Sequence, residues 1–127
     1  MESMTYSKQA SAYKTVHTAT VSGREVEAGA LMRCAYNLND CIENWDQPEL
    51  RDRLSEALKL NQKVWTIFQC EVSDAECRLP DDIRMNILKL VAFIDKQTMD
   101  ILMNPAKDKL NILVNINLNI AAGLQGR

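Results

Sequence analysis

The chain has 127 residues, 46% hydrophobic and 25% charged, a balance that suits one globular core without disulfide or metal staples. Its breakers are sparse, four glycines and three prolines, with no glycine between Gly29 and Gly123. That excludes a hairpin-rich β domain, a phosphate-cradling glycine loop and a dinucleotide fingerprint across the middle of the chain.

The periodicities, taken in chain order, predict an all-α, single-domain bundle of about four to five amphipathic helices. Residues 1–21 read as an N-terminal short helix and linker, and 22–127 as the main bundle. Tyr6, Ala10 and Tyr13 share one helical face in a segment ending near Lys14. Thr15 to Val21 reads as a linker, because its β-branched residues discourage helix. Ser22-Gly23-Arg24-Glu25 has the form of a capping box, a helix start in which hydroxyl and carboxylate satisfy reciprocal backbone amides. Leu31, Cys34, Ala35, Leu38, Cys41, Ile42 and Trp45 continue it as an apolar stripe up to Asp46-Gln47-Pro48. The next helix, about Pro48 to Cys70, carries Leu50, Leu54, Ala57, Leu58, Asn61, Val64, Trp65 and Phe68 on one face. Leu60 and Ile67 add a second stripe, so this helix is expected to be central and covered on more than one side. After a polar loop from Glu71 to Leu79, Pro80-Asp81-Asp82 opens a helix whose apolar period runs from Ile83 to Met103, ended by Asn104-Pro105. The last segment is ambiguous. Val114 to Ile120 alternates as a strand does, yet Leu110, Leu113, Ile116, Ile120 and Leu124 fit a helix stopped by Gly123. A lone strand in a helical chain would leave its backbone groups unpaired, so helix is the expectation.

No catalytic constellation emerges from these elements, and the chain reads as a non-enzyme. The carboxylates, including Asp81 and Asp82, Glu25 and Glu27, and Asp95 and Asp100, occupy helix ends and solvated faces. The single histidine, His17, has no cysteine or acid pair nearby, so neither a metal ligand nor a triad base is expected. Cys34 and Cys41 are seven apart, as are Cys70 and Cys77, wider than the usual zinc spacing. They read as reduced, buried or semi-buried thiols, with no cofactor and no metal. Net charge is −2, and the 15 Lys and Arg are scattered, without the basic stripe that phosphate binding needs, so no direct nucleic-acid binding is expected. The N-terminal Met1-Glu2-Ser3-Met4 lacks the marks of a signal peptide, and no apolar run approaches the ~20 residues of a membrane span. The expectation is a cytoplasmic protein without membrane insertion.

Two asparagines stand in apolar registers: Asn61 one turn before Trp65, and Asn117 between Leu113 and Ile120. A buried amide must find partners or cost about 1–3 kcal/mol. Each asparagine either caps a turn or fixes the register of neighbouring helices, or else lines a groove that a partner helix completes. Trp65 divides the same way between core residue and interface anchor. The apolar last helix, with its alternating pattern, is also a candidate homodimer surface.

Four blocks carry a family resemblance. Ser22 to Leu31 (SGREVEAGAL) matches a Ser-Pro-Arg-Glu helix start, with Gly23 in place of the proline. Ala57 to Trp65 (ALKLNQKVW) matches Asn-x-x-x-Trp, and Leu79-Pro80 with Arg84 matches Leu-Pro-x-x-x-Arg. Val114 to Leu124 (VNINLNIAAGL) matches a closing Ile-x-Ile-Asn-x-x-Ile-x-x-Gly-Leu, with Ile116 and Asn117 on its Ile-Asn pair. In this order the chain resembles the FlaF family of alphaproteobacterial flagellar biosynthesis regulators. The resemblance implies control of flagellin production and secretion together with an FlbT-type regulator. Binding of unassembled flagellin as an export chaperone or adaptor fits it, as does control of flagellin mRNA translation, direct or through FlbT. Asn61, Trp65, Arg84 and Asn117 are the motif matches, and so the candidate partner-binding residues, although core architecture would explain them equally.

Overall fold

Apolar residues recurring at three and four positions wind the chain into helices, and short connections make sequential helices antiparallel neighbours. The computed structural model describes residues 12–126, with side chains from Gly23 onward. Helix α1 spans Ala12–Glu43, α2 Leu50–Ser73, α3 Asp81–Met103 and α4 Lys107–Leu124. They close a ring in which α1 packs on α2 and most extensively on α4, while α3 packs on α2 and α4. Among the described residues there is no strand, and the all-α bundle read from the sequence is the observed fold.

The core follows the predicted stripes. Helix α1 contributes Ala28, Leu31, Ala35 and Leu38, and α2 contributes Leu54, Ala57, Leu58, Trp65 and Phe68. Val91, Ile94 and Ile101 come from α3, and Leu110, Leu113, Val114 and Ala121 from α4. Cys34 and Cys41 are buried in the α1 stripe; burial pushes the Cys34 thiol up to about 11 and raises that of Cys41 as well. Cys70 is exposed, against the expectation of a semi-buried thiol, and Cys77 is half-buried.

Polar contacts tie the turns. Gln97 Nε2 donates to the Lys109 carbonyl at 3.2 Å, and Lys109 Nζ reaches Asp100 at 3.0 Å and the Asn104 carbonyl at 2.8 Å. These bonds hold α3 and α4 across Asn104-Pro105.

Three expectations are corrected. The linker at Thr15–Val21 and the helix start at Ser22 are absent, because α1 runs uninterrupted from Ala12. Extending a formed helix needs no new nucleus, and Thr, Val and Ser cost only a few tenths of a kcal/mol each. Tyr6 and Ala10 of the expected short helix lie outside the described residues. Helix α2 is covered on more than one side, by α1 and α3, as its two stripes implied, but the second stripe is only partly buried, with Leu60 half-buried and Ile67 52% exposed. Gly123 does not stop α4, which continues through Leu124; the positive φ, +82°, belongs to Gly126.

Candidate functional site: an apolar cleft with an acidic rim

The first half of α3 supplies residues in core register that the surrounding helices leave partly uncovered. Ile87 and Leu90 are half-buried and Ile83 is exposed, whereas Val91 and Ile94, further along, are fully buried. The space they face is a cleft of about 810 Å³ bounded by all four helices and by the α2–α3 connection. Such a volume lies in the range of about 300–1,000 Å³ typical of ligand sites. Trp65 and Phe68 of α2 form part of its wall, with Ile83, Ile87 and Leu90 of α3 and Ile120 and Leu124 of α4. The two aromatic rings meet edge to face, centroids 5.3 Å apart at 63°.

A buried relay holds the indole. Trp65 Nε1 donates to Asn117 Oδ1 at 2.8 Å, and Asn117 Nδ2 donates to Asn61 Oδ1 at 2.7 Å. All three side chains are at most 2% exposed. Of the two sequence readings for the asparagines, the observed contacts are those of a register lock between α2 and α4, since their amides bond to each other and to Trp65. The lock is incomplete, as Asn61 Nδ2 is buried with no hydrogen-bond partner among the described residues.

Arg84 works at the rim. Its Nε donates to the Val72 carbonyl at 3.1 Å and its Nη1 reaches Asp81 at 3.2 Å, so the start of α3 is tied to the last turn of α2. Between them, Asp74 organises the connection: the Glu76 amide donates to its carboxylate at 2.9 Å and the Cys77 amide to its carbonyl at 3.0 Å. The connection thereby brings Cys77 and Leu79 to the cleft. Of the four sequence candidates, then, Trp65 lines the cleft, Asn61 and Asn117 hold Trp65, and Arg84 braces a wall.

Sequence reasoning missed two residues, Glu27 of α1 and Glu71 of α2, which meet at the cleft. Burial, then the hydrogen bond and charge of Glu71, push the Glu27 carboxyl up to about 7, with Arg24 a smaller opposing influence. The signal was in the register: Glu27 lies four residues before Leu31 and Glu71 three after Phe68, both on otherwise apolar faces. Among the described residues no three His, Cys, Asp or Glu gather as a metal site would require. No helix there is long and apolar enough to cross a membrane.

Fold and site together define an all-helical module built around an open, acid-rimmed apolar cleft. The family model for the flagellar protein FlaF matches residues 9–124, nearly the whole chain, and the protein belongs to that family. Its role is therefore flagellar. No curated protein and no solved structure matches it.

Proposed function

We propose that the protein is a cytoplasmic adaptor that holds unassembled flagellin for production and export, working with an FlbT-type regulator and by binding rather than catalysis. The cleft carries this reading: an open apolar trough with an aromatic wall suits the ridge of an amphipathic helix, anchored at i, i+3/i+4 and i+7. A terminal flagellin segment that is disordered before assembly would gain order on entering it, and its aggregation-prone apolar face would be covered. The overall negative charge and the acidic rim make direct contact with flagellin mRNA unfavourable, so any effect on translation is assigned to FlbT.

The test is co-elution of the purified chain with monomeric flagellin on a sizing column at ~0.5 M salt, where exposed charge contacts are screened. A 1:1 complex that persists supports the adaptor reading, and separate elution overturns it. A gel shift on the flagellin message leader, with and without FlbT, decides the route to translation. A shift by this chain alone would contradict the relay.

A further inference from the structure

We infer that the helix occupying the cleft presents a lysine or arginine beside its apolar ridge, and that this cation seats between Glu27 and Glu71. The inference deepens the adaptor reading and rests on it for the identity of the partner. Its ground is charge complementarity. The cleft is apolar apart from its rim, and two carboxylates converge there from different helices, α1 and α2. Like charges this close cannot both ionise comfortably without a cation between them. Among the described residues that line the cleft, few groups accompany the pair. Helix α1 offers Arg24, whose opposing influence on Glu27 is the smallest of those acting; the α2–α3 connection offers Cys77; α3 and α4 offer only the neutral amides of Asn86 and Asn119. In the free protein the pair therefore keeps a proton near neutral pH. An incoming ammonium or guanidinium takes that proton's place, and the proton is released to solvent.

The sign of the linkage follows. Binding releases a proton from a group titrating at about 7, so affinity rises with pH to about 7 and flattens above it. Between about pH 8 and pH 6 the complex weakens roughly tenfold, the factor by which protonation of one such group depletes the competent form.

Two probes test this: monomeric flagellin, and a pair of synthetic amphipathic helices of roughly five turns. The two peptides are identical except for lysine or glutamine at one position flanking the ridge. Each is titrated against the wild-type chain and against Glu27→Gln, with thermal melts confirming that the variant is folded. The expected result is a flagellin affinity that falls about tenfold between about pH 8 and pH 6 in wild type but is flat in the variant. The lysine peptide should bind wild type about tenfold more tightly than the glutamine peptide, a preference the variant loses. If flagellin binds both proteins with the same pH profile, the inference is overturned and the adaptor reading stands. If flagellin does not bind at all, the adaptor reading is overturned and the peptides decide: a Glu27-dependent lysine preference upholds the cation seat, and no preference, or no binding by either peptide, sinks it.

Discussion

Trp65 contributes to the structure twice, once by filling the core and once by presenting part of its ring to the cleft, and the two roles can be separated. Trp65→Phe keeps most of the aromatic volume but removes the indole donor, stranding Asn117 Oδ1 in a buried site. The expected loss is about 1–3 kcal/mol from that unpaired acceptor. In a denaturant titration it should appear as a lower midpoint with unchanged slope. Asn61 and Asn117 are bonded directly, so a double-mutant cycle to alanine should return a coupling energy of about 0.5–3 kcal/mol; strict additivity would deny the relay. Glu27 leaves its mark in the pH dependence of stability. Its folded-state value is raised from 4.5 to about 7, so its favourable contribution is complete below about 4.5 and is lost as pH rises through about 7. Glu27 is only half-buried, so solvent screening holds the effect to the order of 1 kcal/mol. Glu27→Gln should erase this decline, and melts at about pH 5 and pH 8 measure it.

At the scale of helices, the stripes of α1, α2 and α4 were legible because i, i+3, i+4 spacing is what lets a helix bury one face. What escaped was the behaviour of the boundaries. Ser22 has the residues of a cap, but a capping box stabilises a start only where the preceding backbone is not already helical, and α1 is helical from Ala12. The strand-like alternation of Val114 to Ile120 has a similar explanation. Leu113, Val114 and Asn117 point inward on α4, while Leu118 is 38% and Ile112 41% exposed. Apolar residues on the outward face thus create the alternation without a strand. The end of α4 yields a discriminating pair of substitutions. A Cβ on Gly123 would meet nothing within 4 Å, and its φ is not positive, so Gly123→Ala should stabilise the protein by up to about 0.5–1 kcal/mol. Gly126→Ala should destabilise it, because φ at that position is +82°. A reversal of the two signs in thermal melts would place the helix stop at Gly123 instead.

For the molecule as a whole, the cleft is where an otherwise regular bundle leaves apolar register positions uncovered. The sequence marked those positions only as an apolar period, since periodicity reports that Ile83, Ile87 and Leu90 share a face but not whether another helix reaches that face. Glu27 was hidden by the converse difficulty, an acid on an apolar face that composition alone places with the solvated carboxylates. If the cleft is the binding surface, its occupation must raise the stability of the whole bundle, because a ligand that binds only the folded chain shifts the unfolding equilibrium by mass action. A bound helix at a hundredfold excess over its Kd adds about 2.7 kcal/mol, seen as an upward shift in Tm that grows with ligand concentration. Ile87→Arg is the counter-test. The half-buried position lets the long side chain extend toward water, so the bundle should survive while a charge and its hydration shell occupy the trough. The expected outcome is a near-normal melt for the free variant and at least a tenfold loss of flagellin affinity, equivalent to about 1.4 kcal/mol. A variant that melts normally and still gains full stability from flagellin would locate the binding surface elsewhere on the bundle.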